Sequence, residues 1–204
     1  MQLDLATTVA PEIVPARKVL GHITGAFVTA DTSPKGFQTT EVASLTVELD
    51  GIAGSRHRGW AGRADARVPY LPRGTPIRNT RHITLVSSED LAEAAGRLDI
   101  PRIDPRWIGA NLLIEGIARL SFLPRGARLF CEGGAILIVE DMNAPCRGAG
   151  AAIASHNPGR PELELEFPKQ CQRLRGLIAS VEHPGAIAAA SSLTARLPEQ
   201  WLYR

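Results

Sequence analysis

The sequence predicts a mainly β fold with inserted helices (α+β), built as a barrel-like domain of short strands. Three observations predict it. Short apolar and β-branched runs, each bounded by Gly or Pro, recur along the chain. Helical periodicity is scarce beside them. The length of 204 residues, with 44% hydrophobic and 22% charged residues, suits one ordinary globular domain with a sizeable core. No internal repeat or low-complexity tract interrupts it.

Each element follows in order. "KVLGHITGAFVT", from Lys18 to Thr29, sets β-branched and apolar residues between glycines and reads as strand. "TTEVASLTVELDGIAG" alternates Val42, Ser44, Thr46 and Glu48 with Ala43, Leu45, Val47 and Leu49, a half-buried strand ending in an Asp-Gly turn. From Arg56 to His82, Gly59, Gly62, Pro69, Pro72, Gly74 and Pro76 predict a long loop. Loops of that length inside a compact domain are usually functional. "ITLVSSEDLAEAAGRLDIP" turns from strand to helix. Ser87 with Asp90 makes a capping-box-like start, Leu91, Ala94, Ala95 and Leu98 share one face, and Asp99 and Pro101 close it. "ANLLIEG", "GARLFCEG" and "AILIVED" are further strands, and "RLRGLIASVEHPGAI" reads as a strand pair around Pro184-Gly185.

Composition narrows the function classes. No apolar run approaches the ~20 residues of a membrane span. The opening "MQLDLATTVAPEIVPARK" lacks the basic and apolar regions of a secretory signal, so a cytoplasmic location is expected. Cys131, Cys146 and Cys171 are odd in number and widely spaced, which argues against a disulfide framework and a structural zinc site. Net charge is only +2, yet Arg56 to His82 holds seven Arg, two His and a single acid, Asp65. The rest of the chain carries 16 Lys+Arg against 20 Asp+Glu. A local cluster of this kind suggests an anionic partner, and Arg, with its planar fork, suits phosphate or carboxylate. Nucleic acid is a poor candidate: only Trp60 and Tyr70 interleave the loop, and the remaining surface is net acidic.

"NAPCRGAG" holds the principal candidate, Cys146. Pro145 suits the first position of a helix, with Asn143 or Ala144 near the cap. Cys146 would then sit at the positive end of that helix beside Arg147, a setting that favours thiolate. Gly148, Ala149, Gly150, Ala151 and Ala152 would leave the backbone bare for a bulky ligand; a buried structural cysteine is the alternative. Cys131, in phase with Leu129, and Cys171, in the helix-like "KQCQRLRG", read as structural. "GIAGSRHRGW" presents His57 between Arg56 and Arg58, where the cations disfavour imidazolium, or where the run simply binds an anion. Arg78, Arg81 and His82 join that surface if the loop folds back. Asn111, opening "ANLLIEG", either caps a turn or binds a polar ligand. No G-x-S-x-G, P-loop, H-E-x-x-H or dinucleotide fingerprint occurs.

Taken together, these motifs resemble the MOSC domain, the module at the C-terminus of molybdenum cofactor sulfurases and in stand-alone bacterial proteins. "GSRH", "RHITLVSSEDL", "IGANLLIEGI", "LPRGARL", "NAPCRGAG" and "RLRGLIASVEHPGAI" carry the resemblance, from about Gly51 to Gly185. It implies a pyruvate-kinase-like β-barrel over 21–190, between an N-terminal extension 1–20 and a C-terminal extension 191–204. It implies that Cys146 carries sulfur or meets molybdenum through the bound molybdopterin. Arg56, His57, Arg58, Arg81, Asn111, Asn143 and Arg147 would line the cofactor pocket. Two departures stand out: Ser55 where the family usually has Asp, and Ala110 where it usually has Glu. Their loss makes the pocket more positive and removes possible orienting partners of His57. Pyridoxal phosphate, held by a desulfurase domain often paired with this module, is not expected on this chain. Sulfur would come from a separate donor such as a cysteine desulfurase, and the partner would be molybdopterin or a molybdenum enzyme. The expected chemistry is sulfur transfer or reduction of N-hydroxylated substrates; the alternative is a non-catalytic binding module for an anionic cofactor or partner.

Overall fold

A computed structural model of the chain describes residues 12–29 and 36–201. Seven strands close into a barrel: β1 (Arg17–Thr29), β2 (Ile83–Ser87), β3 (Leu112–Glu115), β4 (Arg128–Cys131), β5 (Ile136–Met142), β6 (Leu177–His183) and β7 (Ser191–Leu197). Around the barrel the order is β1-β3-β2-β6-β5-β4-β7, and β7 returns to β1. All pairings are antiparallel except β2 with β3. A parallel pair needs a crossover. Helix α1 (Ser88–Arg97) supplies it, so a helix has to interrupt the β pattern here. Ser87 caps α1 as its sequence implies, its side chain accepting from Asp90 N at 3.0 Å.

Alternation sorts the inner residues from the outer. Along β1, Gly21 and Ile23 are buried while Leu20, His22 and Thr24 are exposed. A register shift between Ile23 and Gly25 breaks that phase, which lets Gly25, Ala26 and Phe27 be buried in succession. Ile23, Leu85, Leu112, Ile114, Leu129, Leu137, Leu177 and Leu193 fill the barrel interior. Burying one such side chain contributes about 1.5–3 kcal/mol. A small sheet of Ser44–Glu48, Gly51–Ile52 and Gly185–Ala188 adds Leu45, Val47, Ile52 and Ile187 to the same core. A second core lies among α1, α2 (Arg147–Ser155) and α3 (Leu163–Gln170), where Leu91, Leu98, Ile108, Ile153, Leu163 and Phe167 pack together.

The structure departs from the sequence expectations in four places. The loop 56–82 contains a short hairpin, Ala61–Arg63 with Pro76–Arg78. The strand expected through 42–49 divides into Thr39–Val42 and Ser44–Glu48, since the first joins β1 and the second the small sheet. The strands around Pro184 do not pair with each other: β6 completes the barrel, whereas Gly185–Ala188 pairs with Ser44–Glu48. Finally, the barrel reaches past 21–190 on both sides. β1 begins at Arg17, and β7, within the segment expected as a C-terminal extension, pairs with β1 from Arg17 to Ile23. Beyond them, Ile13–Val14 pairs with Gln200–Trp201.

Candidate functional site

The chain gathers its candidate residues where β2, β3 and β6 begin and β5 ends. Arg81 precedes β2, Asn111 precedes β3, Asn143 and Cys146 follow β5, and Arg175 precedes β6. The loop 56–82 folds over them, and together they surround a cavity of about 700 Å³. Its described lining includes six arginines, Arg56, Arg58, Arg63, Arg67, Arg81 and Arg175, and no carboxylate.

Cys146 lines this cavity at the start of α2. It is itself the N-cap residue, with φ −135° and ψ 161°, so the helix begins later than Pro145 suggests. Its carbonyl accepts from Gly150 N at 3.0 Å, and its sulfur faces Arg175, whose Nη1 lies 3.3 Å away. Of the bare residues that follow, Gly148 lines the cavity beside Phe37, while Gly150 serves packing. A Cβ on Gly150 would come within 2.5 Å of the Glu164 carbonyl of α3, and one on Gly148 within 2.9 Å of the Phe37 ring. Arg147 turns outward: its guanidinium pairs with Glu164 at 2.5 Å and is 71% exposed, so it is not among the described lining residues.

Arg175, which sequence reasoning missed, is the buried cation of the site, only 6% exposed. Nη1 also donates to Ala144 O at 2.9 Å, Nη2 donates to Ile108 O at 3.4 Å, and the guanidinium lies 5.3 Å from the Phe37 ring centroid. Its Nε–H, shielded from solvent, has no acceptor among the described residues. Burial holds its pKa below the ordinary guanidinium value, while Cys146 opposes that shift. Arg67 was also missed. It pairs with Asp65 and faces Cys146 electrostatically.

The expected residues of the loop fall as follows. His57 stands on the cavity wall, its backbone N–H donating to Ser55 Oγ at 3.2 Å. The turn-capping acceptor at position 55 is thus a serine hydroxyl. Desolvation, then the charges of Arg56, Arg81 and Arg67, lower the imidazole pKa below its usual value. Arg56 Nε donates to His57 Nε2 at 3.3 Å, and its Nη2 donates to Gly36 O. Arg58 reaches the rim, but its guanidinium is held by both Asp50 oxygens at 2.9 Å. Arg81 is half-buried. Desolvation and its neighbours Arg67 and Arg175 bring its pKa down to about 10. Arg81 Nη2 donates to Asn143 Oδ1 at 3.4 Å. His82 is buried and does not line the cavity, its Nδ1 accepting from Val181 N at 3.4 Å.

Asn111 touches the cavity, yet its side chain knits strands. Oδ1 accepts from Thr84 N at 2.9 Å, and Nδ2 donates to Phe27 O at 3.2 Å. Cys131 and Cys171 lie in the two cores, where burial pushes their thiols up to about 12 and about 11. Of the three thiols, Cys146 lines this cavity, and Cys131 and Cys171 do not. Among the described residues, no group of three His, Cys, Asp or Glu could hold a bare metal ion.

Comparison with known proteins places the chain in a family. The model of the MOSC domain matches residues 72–194. A Bacillus subtilis protein, YuaD, named for metal-sulfur cluster biosynthesis, is 39% identical over 158 residues, 78% of this chain and 81% of YuaD. The chain belongs to the MOSC domain family. The crystal structure of YuaD superposes with a TM-score of 0.85 at 33% identity, covering 89% of this chain and 98% of that one. YiiM from Geobacillus stearothermophilus shares the MOSC fold at 15% identity, with a TM-score of 0.53 over 90% of this chain and 76% of YiiM.

Proposed function

We propose that the arginine-lined cavity takes the molybdenum cofactor by its phosphate and that Cys146 is the residue that handles sulfur beside it. One observation carries this reading: the Cys146 sulfur opens into a cavity lined by six arginines and no carboxylate among the described residues. Cavity and cofactor suit each other chemically. Guanidinium forks recognise phosphate in bidentate fashion, and Arg175 holds a buried Nε–H with no protein acceptor. Thiolate is a soft donor, suited to sulfur-bound metal. When bound, the cofactor supplies a phosphate tail and a sulfur-ligated metal.

Arg67 and Arg81 would hold the anionic end, and Asn143 would orient Arg81 through their shared hydrogen bond. Desolvation first, and then the charges of Arg56, Arg81 and Arg67, disfavour the imidazolium of His57, so the empty cavity gains less positive charge from it than from the arginines. Sulfur handling starts at Cys146. Its thiolate attacks the terminal sulfur of a persulfide on a separate donor protein, the donor's S–S bond breaks, and the donor leaves as thiolate. Cys146 then carries the persulfide. The name of YuaD, metal-sulfur cluster biosynthesis, supports sulfur chemistry for this group of MOSC proteins.

Metal and sulfur analysis tests the reading, with protein taken gently from a host that makes molybdopterin, beside its Cys146→Ala variant. Cyanide-labile sulfur on the wild type and not on the variant is the expected result. Molybdenum bound to the wild type and lost from the variant would instead make Cys146 a metal ligand and point to reduction of N-hydroxylated substrates. Finding neither overturns the assignment of Cys146 and leaves a binding module for an anionic partner.

A further inference from the structure

We infer that Arg175 is the positioning residue for Cys146: it fixes the sulfur at the cavity and supplies the counter-charge of its thiolate. The inference deepens the reading of Cys146 as the sulfur-handling residue and rests on it for its function, though not for its test.

The guanidinium is fastened first by groups that have no part in chemistry. Two carbonyls, Ala144 O and Ile108 O, and the face of Phe37 set its plane. Nη1 has two hydrogens, one for Ala144 O at 2.9 Å and one for the Cys146 sulfur at 3.3 Å. The backbone behind it is equally fixed. Gly176 N donates to Ser121 Oγ at 2.9 Å, Gly176 O accepts from Asn143 N at 2.9 Å, and Ser121 Oγ donates to the buried Asp90 at 2.6 Å. Arg175 therefore presents its fork to the sulfur without having to be ordered at the moment of reaction.

Charge completes the argument. A buried cation needs a counter-charge or strong acceptors. No carboxylate pairs with Arg175 among the described residues; its neighbours are two carbonyls, a ring and one sulfur. Of these the sulfur alone can become an anion. The other charged groups facing Cys146 are Arg67 from the loop and, behind it, Arg81, both cations. Arg147, the neighbour in sequence, is spent on Glu164. Neither Cys131 nor Cys171 has an arginine donor among the described contacts; Cys171 Sγ meets only Ala94 O, at 3.8 Å.

The test is the rate at which a neutral alkylating reagent, iodoacetamide, modifies Cys146 in the intact, cofactor-free protein between about pH 5 and 9, with the modified site identified by mass spectrometry. Arg175→Gln should slow the reaction at pH 7 about tenfold and move the profile to higher pH, as loss of a charge-assisted hydrogen bond does. Arg175→Lys, which keeps the charge, should recover most of the rate, and Arg147→Gln should leave the profile in place. A profile for Arg175→Gln that overlies the wild type, or an equal shift in Arg147→Gln, overturns the inference. If Arg175→Gln does not fold, Cys146→Ser decides. The stability difference between wild type and Cys146→Ser should be larger at pH 9 than at pH 6, whereas a purely packing role would leave it constant. The experiment needs neither sulfur donor nor molybdenum. A shifted profile with no labile sulfur or metal keeps the positioning role and removes the cofactor reading; the reverse result removes only the positioning role.

Discussion

Asn111 and His57 line the same cavity but answer to different constraints. Asn111 is 5% exposed and both ends of its amide are committed to backbone, one to Thr84 N and one to Phe27 O. Replacing it with Leu strands a buried donor and a buried acceptor, so Asn111→Leu should lower unfolding stability by about 2–4 kcal/mol, read from urea midpoints. His57 keeps its imidazole on the cavity side with a lowered pKa, and a bound anion would raise it. Anion binding should therefore take up a proton, and affinity should increase as pH falls below about 6.5. Titration calorimetry with sulfate, which does not itself titrate there, should show this slope in the wild type and a weaker one in His57→Gln. Stability should run the other way. His57 and His82 both have depressed pKa values when folded, so their contribution is whole above the unfolded value, about 6.5, and is lost as pH falls below it. Urea midpoints at a series of pH values should decline on that acid side.

At the scale of elements, local signals were legible where the chain acts locally. Ser87 with Asp90 announced the start of α1, and the glycine-bounded runs announced β1, β3, β4 and β5. They misled where a second element set the outcome. Gly150 looks like room for a ligand, but it admits the backbone of α3, whereas Gly148 lines the cavity beside Phe37. Gly176 carries the strictest demand. Its φ is +82°, and a Cβ there would lie 1.8 Å from Leu85 O of β2. Gly176→Ala should cost more than about 3 kcal/mol, from the left-handed backbone and the clash together, and yield little soluble protein. Gly159→Ala shares φ +82° but meets nothing within 4 Å. It should lower stability by only about 1–2 kcal/mol, read from urea midpoints.

For the whole molecule, closure depends on residues distant in sequence. β7 bonds β1 on one side and β4 on the other, so a chain ended at residue 190 loses the strand that shuts the barrel. Such a chain exposes two long strand edges and part of the apolar interior. It should fail to give a cooperative thermal transition by circular dichroism, and the full chain should give one. Closure also decides which charges converge. Arginines from the loop 56–82 and from the turn before β6 meet in one cavity, whereas Asp50 and Asp65 are already paired with Arg58 and Arg67.

The strand-rich architecture, the helix after β2, the basic character of residues 56–82 and the chemical interest of Cys146 and His57 are all legible along the chain. Those properties lie in periodicity, capping and residue type over short spans. Which cation meets the Cys146 sulfur depends instead on packing between distant segments. Arg147 is its neighbour along the chain, but α3 offers Arg147 a carboxylate outside, while the turn before β6 brings Arg175 to the sulfur. Nothing in "QRLRGLI" marks that arginine except the glycine after it. Its role depends on barrel closure, which places residues 29 positions apart within hydrogen-bond distance and away from water.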